Sequence, residues 1–564
     1  MLECTRRELI AGFLGLPLAA ACAHAAPRQF AGSLLGQDHR LGHQLRDGFA
    51  CEPVRTREVP IAIVGAGVSG LSAAWRLERA GQRDYEVLEL EAVPGGTARS
   101  GQYAGIPFPW AAHYLPCPLP HARAVRALLL EMGVASERPG GELDYDEAQL
   151  VRAPQERVFV LDRWYEGEFP YAGATRDELA QLARFEAEIE RLAAFRDEAG
   201  RRAFAVPSAH GSDEPSIAEL DRQTFAEWCA QRGFDSPRLR FWLEYGTRDD
   251  MGSTLAQTSA YAGLHYHAAR ATERGPSPFL TWPEGNARLI AHLARSAGAR
   301  LRTRVAVTQV SGSAGAGAAS SGGSLLLAAD GGAAFGGAER VELRTFEPDS
   351  GTCELLRCRH VVLAMPQAIC ARIMKGPPRQ VLDAATGWQS GAWLVANIAL
   401  RRRPIARGFP ECWDNILYGS ASVGYVVATH QTDSPERRRS VWTWYLPLTS
   451  ADPAHDRRRL LALSFDECAA LVLADLSRPH PDIADCIERI DFFRWGHAMV
   501  RPTPGLFSGE LSRIRRAAQR PAGAIHFAHS ELSGLALFEE AQWHGIRAAE
   551  EILAARGVAT ESLL

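Results

Sequence analysis

The sequence predicts an α/β fold with a parallel, doubly wound sheet, and three consecutive segments near its start carry that prediction. Val59–Val64 is a short apolar run typical of a buried strand. Val68–Ala80 has helical spacing and ends at Gly81, and Tyr85–Leu90 is a second apolar run. A strand, a helix and a second strand in this order are typical of a sheet whose parallel strands are joined by crossover helices.

Length and composition indicate a large globular protein. The chain has 564 residues, of which 46% are hydrophobic, so it can form two or more domains. Its 62 basic and 66 acidic residues give a formal net charge of -4, so the composition gives no reason to expect nucleic acid as a partner. Lys375 is the only lysine, so a mechanism that needs a lysine has a single candidate.

The N-terminus predicts a signal peptide over residues 1–25. Thr5–Ile10 has a twin-arginine pattern, Leu9–Ala23 is apolar, and Ala23-His24-Ala25 is a candidate cleavage site. We therefore expect the twin-arginine export machinery as a partner and a periplasmic or otherwise exported protein. Lipoprotein anchoring through Cys22 is the alternative.

Several later segments also have a recognisable pattern. Residues 26–57 are polar and are expected to form an irregular extension, and residues 311–338 are rich in Gly, Ala and Ser and are expected to form a hairpin tip. Cys353 and Cys358 are close enough to pair, but two ordinary thiols are the preferred interpretation. The other predicted elements are a long helix over Arg176–Arg202, hairpin strands near Val305–Val310 and Val341–Arg344, a buried strand over Val361–Met365, and a last helix over Phe538–Arg556.

The turn between the first strand and the first helix has the pattern G-x-G-x-x-G. Gly65 permits a tight turn, Gly67 lets the backbone approach a pyrophosphate, and Gly70 lets the helix pack closely on the strand. The helix start, which includes Ala66, Val68 and Ser69, offers unpaired N–H groups to an anion. Glu89 ends the second strand and can accept hydrogen bonds from ribose hydroxyls, so the unit predicts a dinucleotide site.

The residues after Glu89 indicate which dinucleotide the site is expected to bind. The segment Glu89–Arg99 resembles the flavin amine oxidase family and its relatives, the phytoene desaturases and protoporphyrinogen oxidases, in which a Gly-Gly pair follows an acidic residue at this spacing. The resemblance implies FAD, with Gly95, Gly96 and Thr97 near the pyrophosphate. Arg99 stands slightly later than the usual arginine of the family and adds a fork of phosphate donors.

Further segments extend the resemblance over most of the chain. Pro109–Tyr114 resembles the segment that meets the isoalloxazine, and Trp282–Leu289, Val361–Pro366 and Ile525–Glu531 resemble other family segments. By this resemblance the implied FAD contacts are Ala112 and His113 at the isoalloxazine, Val307 at the adenine, Ser530 and Glu531 at the ribityl or phosphate part, and Phe538 and Glu539 at the helix start that faces the flavin N1–C2=O edge.

The chain also departs from the family pattern. Val395 occupies the place of a lysine that amine oxidases usually keep near flavin N5, and Asn397 on the same strand face is expected to hold a water instead. The catalytic group is therefore unknown, with Asn397, His113 and His529 as candidates. Residues 490–530 contain no cysteine for covalent attachment, which implies noncovalent FAD. His265 and His267 lack further ligands, so no metal is expected.

The whole pattern predicts an α/β fold in which a discontinuous Rossmann-like FAD-binding domain is joined to a mixed α+β substrate domain. The leading function is oxidation of an amine C–N bond by hydride transfer to flavin N5, with a small-molecule substrate and an unknown electron acceptor. The alternatives are desaturation or isomerisation of an apolar substrate, and an exported flavoprotein that binds a partner or transfers electrons. The FAD-binding domain is expected at 57–115, 280–370 and 490–564, and the substrate domain at 116–279 and 371–489.

Overall fold

A computed structural model describes residues 29–49, 51–272, 275–312, 340–432 and 439–564. The expected signal peptide at 1–25 and nearly all of the expected hairpin tip lie outside these residues. Within them, no helix has the length and apolar character needed to cross a membrane. In the same ranges, no group of three or more His, Cys, Asp and Glu side chains could hold a metal ion.

The predicted strand–helix–strand unit is confirmed as the centre of a five-stranded parallel sheet. Its members are Ile61–Val64, the helix Val68–Arg79 and Tyr85–Leu88. Every residue of these two strands is buried, because helices such as Val68–Arg79 cover one face and the four-stranded sheet described below packs on the other. The strand order is Leu301–Arg302, Tyr85–Leu88, Ile61–Val64, His360–Leu363 and Ile525–Phe527.

A second, four-stranded sheet contains the predicted hairpin. Ala306–Ser311 pairs antiparallel with Val341–Glu347, which continues into Thr352–Cys358. Arg55–Glu58 completes the sheet in parallel. Cys353 and Cys358 are not bonded to each other. Cys353 forms a disulfide with Cys51, and Cys358 is a buried free thiol.

The expected substrate domain is organised on an eight-stranded mixed sheet. Its long central strand Ser390–Leu400 is buried along nearly its whole length and lies between Ile487–Val500 and Ser440–Leu448. Because Ile487–Val500 belongs to this sheet, the domain boundary expected at residue 490 falls inside a strand. The order is Ala31–Gly36, Ile487–Val500, Ser390–Leu400, Ser440–Leu448, Tyr425–Val427, Asp414–Leu417, Glu156–Val160 and Arg163–Glu166.

Two expectations about local structure were wrong. Residues 26–57 are not an irregular extension throughout, since Ala31–Gly36 is an edge strand of the eight-stranded sheet and His39–Asp47 is a helix. The long helix ends at Ala194, because the Asp197 carboxylate accepts the backbone N–H groups of Ala199 and Arg201 and so stabilises a turn.

The remaining elements surround these sheets. Two short hairpins pair Ser100–Tyr103 with Ile106–Pro109 and Ala135–Glu137 with Leu143–Tyr145, and Tyr114–Pro116 pairs antiparallel with the distant strand Phe279–Thr281. The other principal helices are Arg123–Glu131, Arg176–Ala194, Phe225–Gln231, Pro237–Met251, Ala260–Ala268, Ala287–Ala297, Gln367–Ile373, Arg379–Gly387, Pro453–Ala462, Phe465–Leu476, Gly509–Ala518 and Phe538–Ala555.

Candidate functional site

The glycine turn is closely packed on its protein side and open on the other. Gly65 has φ +103°, and a Cβ there would lie 2.6 Å from the carbonyl oxygen of Ala364. A Cβ on Gly70 would lie 1.8 Å from the Gly65 oxygen. A Cβ on Gly67 would meet nothing within 4 Å, so this side of the turn is open to a ligand.

A second glycine pair faces the first. Gly95 donates its N–H to the carbonyl of Ala66 at 2.8 Å. A Cβ added to Gly96, which has φ +57°, would lie 3.6 Å from the Gly67 Cα. The two turns and the start of the helix Val68–Arg79 therefore form one cradle of backbone, which suits a phosphate group. We call this arrangement the glycine cradle.

Glu89 connects the cradle to the adjoining strands. Its carboxylate accepts the N–H of Ala66 at 2.6 Å and that of Glu91 at 2.9 Å, while burial raises its pKa. Its carbonyl accepts the N–H of Val305 at 2.8 Å. Val307 follows two residues later, so the positions expected for ribose and adenine are neighbours.

Arg99 lies on the rings of Phe493 and Trp495, with 4.9 and 5.1 Å between its guanidinium carbon and the ring centroids. Its Nη1 is 3.4 Å from Glu91. Nε and Nη2 are buried and have no hydrogen-bond partner within the described part of the chain. Buried donors are costly when unpaired, so Arg99 fits an anionic ligand held beside the cradle.

Glu531 lies at the end of the strand Ile525–Phe527 and accepts the backbone N–H of Gln367. The Gln367 amide is fully buried, and both of its polar atoms are without a partner among the described residues. Ser530 begins the short turn that carries Glu531, and His529 Nδ1 accepts the Glu531 N–H at 3.3 Å. Burial lowers the pKa of His529.

The last helix begins at Phe538 and packs directly on the helix of the glycine turn. A Cβ added to Gly545 would lie 2.1 Å from the carbonyl oxygen of Ser69, so the two backbones touch. Within the described ranges, the fully buried Gln542 amide has no partner on either polar atom. Burial raises the pKa of Glu539, in the first turn, to about 7.

The segment expected at the isoalloxazine joins both domains. Ala112 donates its N–H to the Thr97 carbonyl at 3.2 Å. The His113 ring is stacked on Tyr445, with centroids 5.1 Å apart, and the Tyr445 hydroxyl lies 3.1 Å from His113 Nδ1. Burial lowers the pKa of His113 to about 4, so this imidazole is neutral near neutral pH.

A cluster of acids, of which Asp414 is buried and the others are half-buried, lies beside this segment, and the sequence interpretation missed it. The Tyr114 hydroxyl donates to Asp250 at 2.9 Å, and Arg270 contacts the other oxygen of Asp250 at 2.9 Å. The Tyr245 hydroxyl donates to Asp414 at 2.5 Å, and burial raises the pKa of Asp414 to about 7.

Three more carboxyl groups, all half-buried, belong to this acidic cluster. Burial and the neighbouring Asp250 raise the pKa of Asp249. Burial raises the pKa of Glu168, and burial together with Glu168 raises that of Glu156 to about 9. No ion pair joins these three residues or Asp414 to an arginine or lysine in the described ranges. The cluster therefore carries more acid than the surrounding cations can neutralise.

The strand Ser390–Leu400 places the remaining candidates. Val395 is fully buried opposite Tyr445. Asn397 donates to the Pro109 carbonyl at 3.0 Å and accepts from Thr443 at 2.8 Å, so its amide fixes the segment that leads to His113. Lys375 is exposed to solvent, as expected.

Comparisons with known proteins agree with this geometry. Residues 68–553 match the family model described as flavin containing amine oxidoreductase. No curated protein matches the chain. Three of the solved structures that share its fold, all at low identity, are representative. They are putrescine oxidase bound to putrescine (18% identity, TM-score 0.63, covering 88% of this chain and 100% of that one), cyclohexylamine oxidase from Brevibacterium oxydans IH-35A (16%, 0.60, 89% and 100%) and a CLA-producing fatty acid isomerase from P. acnes (16%, 0.58, 88% and 98%).

Proposed function

Because this chain belongs to the family of flavin-containing amine oxidoreductases, we propose that it uses FAD to oxidise the C–N bond of an amine. The acidic cluster beside His113 and Tyr114 is the observation that carries the choice of an amine. These carboxyl groups have too few cationic partners, and an amine in its ammonium form would supply the missing positive charge.

FAD fits the glycine cradle without a covalent bond. The backbone around Gly67 and Gly96 would hold the pyrophosphate, with Arg99 as an additional donor. Glu89 would bind the ribose hydroxyls, and the strand at Val307 would hold the adenine. The flavin supplies the hydride acceptor, while the protein binds and orients the substrate and excludes water.

The amine would lie between the flavin-facing segment and the acidic cluster. Tyr114 links these two regions, since it follows His113 in sequence and its hydroxyl donates to Asp250. Bringing a cation next to Asp414 and Asp249 would lower their raised pKa values and favour the ionised carboxylates. His113 remains a candidate site residue, because its neutral imidazole would not repel the ammonium group of a bound amine.

The experiment is anaerobic reduction of the purified holoprotein with a panel of amines and apolar unsaturated acids, followed by admission of air. Bleaching of the flavin absorbance by amines alone is the expected result. Reduction or turnover with the apolar acids alone would instead favour desaturation or isomerisation, the alternative that Val395 in the lysine position supports. If no small molecule reduces the bound flavin, the result would favour a binding or electron-transfer role.

We also propose that the protein is exported through the twin-arginine route. The Cys51–Cys353 disulfide supports this localisation, since such bonds persist in oxidising compartments. Replacing Arg6 and Arg7 with lysine should retain the protein, with its flavin, in the cytoplasmic fraction. Unchanged fractionation of that variant would contradict the proposed route.

A further inference from the structure

The segment 29–58 extends from the eight-stranded sheet to the four-stranded sheet and is fixed at both ends. Ala31–Gly36 pairs in parallel with Arg489–Arg494, and a Cβ on Gly32 would lie 1.7 Å from the Ile490 oxygen. At the other end the Cys51–Cys353 disulfide, with Cα atoms 6.2 Å apart, precedes the paired strand Arg55–Glu58. We call this segment the N-terminal strap.

The middle of the strap contacts the dinucleotide site through Asp38. Its backbone N–H donates to Glu91 Oε1 at 2.7 Å. Its carboxylate lies 3.2 Å from Arg304 Nη1 and also accepts the N–H of Leu41, which caps the helix His39–Asp47. One residue of the strap therefore contacts two side chains of the dinucleotide-binding domain.

Glu91 and Arg304 are directly connected to the candidate FAD contacts. The Glu91 N–H donates to Glu89 at 2.9 Å, and the Glu91 carboxylate lies 3.4 Å from Arg99. The Arg304 N–H donates to the Glu91 carbonyl at 3.2 Å. Any movement of Asp38 would therefore shift Glu91. Glu91 contacts both Glu89, the candidate ribose-binding carboxylate, and Arg99, the candidate phosphate-binding guanidinium.

We propose that the N-terminal strap retains the ADP half of FAD by holding Glu91 and Arg304 in place, with Asp38 as the positioning residue. The proposal rests on the proposed FAD site. Because both ends of the strap are fixed, less conformational entropy is lost when Asp38 contacts Glu91 and Arg304. These contacts therefore persist while the cofactor is bound. The disulfide fastens the end that leads into the dinucleotide-binding domain.

The test measures flavin release from the holoprotein after dilution, using the fluorescence of free flavin. Asp38→Ala removes the Arg304 contact and the helix cap, and should accelerate release on the order of tenfold, the value of one hydrogen bond to a charged group. Replacing Cys51 and Cys353 with serine should accelerate release in the same direction. Asp47→Ala, at the exposed end of the same helix, is the matched control and should release flavin at the wild-type rate.

The outcomes separate this proposal from the proposed function. A wild-type protein without flavin would overturn the FAD site itself. Wild-type release rates in both the Asp38→Ala and the double serine variants would overturn the strap alone, as would equal acceleration in Asp47→Ala. Since the double serine variant leaves Asp38 intact, it also decides the question if Asp38→Ala fails to fold.

Discussion

Gly67 and Gly96 face each other so closely that a Cβ on Gly96 would lie 3.6 Å from the Gly67 Cα. Two turns that are separated by almost thirty residues thus form opposite walls of one cradle. Neither glycine carries a side chain, which leaves the backbone N–H groups as the surface offered to a ligand.

Substitutions at Gly67 and Gly70 should affect cofactor binding and folding stability differently. Gly67→Val should leave the free energy of unfolding of the apoprotein nearly unchanged but weaken FAD binding on the order of 100-fold, because the side chain fills the open side of the cradle. Gly70→Ala should instead destabilise the apoprotein by about 3 kcal/mol or more, since its Cβ meets the Gly65 oxygen. Urea unfolding and FAD titration measure the two effects, and equal losses of stability would contradict the assignment.

Glu89 should contribute both to the structure of the glycine turn and to binding of the ribose. Glu89→Ala leaves the N–H groups of Ala66 and Glu91 without their acceptor, so FAD affinity should fall at least tenfold. Glu58→Ala, on an exposed strand position, is a matched control that should bind FAD normally. Fluorescence titration of the apoproteins compares them, and wild-type affinity in Glu89→Ala would exclude a cofactor role for this carboxylate.

Asp414 should make cation binding dependent on pH. Burial raises its pKa to about 7 beside Tyr245 and Glu168, so the carboxylate ionises as pH rises through that value. The affinity for a permanently charged inhibitor such as benzyltrimethylammonium should therefore increase from about pH 6 to about pH 8, by no more than about tenfold per unit for one proton. Inhibition constants measured against pH test this directly.

The variant Asp414→Asn supplies the control for that titration. It should flatten the pH dependence, whereas Asp466→Asn at an exposed position should keep it. Stability provides a second readout. Because the folded pKa of Asp414 is raised, its contribution to stability is present at acidic pH and is lost as pH rises through about 7. An unaltered profile in Asp414→Asn would contradict a role for this carboxylate in binding the cation.

Lys375 should have no part in the reaction. Its side chain is exposed, and the sequence contains no other lysine. Lys375→Met should therefore change the rate of flavin reduction by less than about twofold, as should Arg372→Met on the neighbouring exposed surface. Stopped-flow reduction compares the three proteins. A loss confined to Lys375→Met would show that lysine chemistry operates here after all.

The sequence predicted the glycine cradle well and the acidic cluster not at all. Gly65 and Gly70 are dictated by local backbone geometry, which leaves a pattern in consecutive residues. Asp249 and Asp414 lie in a helix and in a distant strand, and a carboxylate near a helix end is indistinguishable in sequence from a solvated one. Only tertiary packing brings them together.

Two further features of the eight-stranded sheet have a similar origin. Ala31–Gly36 is a short edge strand whose parallel partner lies more than 450 residues away, so no local pattern indicates its pairing. Residue 490, where a domain boundary was expected, lies inside the long strand Ile487–Val500, which precedes the family-like segment at the C-terminus. In both cases the partner strand, and not the segment itself, determines the domain.

Acid precipitation of the purified protein, followed by chromatography of the released flavin, asks whether the chain binds FAD and whether the bond is noncovalent. We expect about one FAD per chain in the supernatant, because the proposed site in the glycine cradle would hold an intact dinucleotide without a covalent bond. Absence of flavin, release of FMN, or flavin retained in the precipitate would each contradict it.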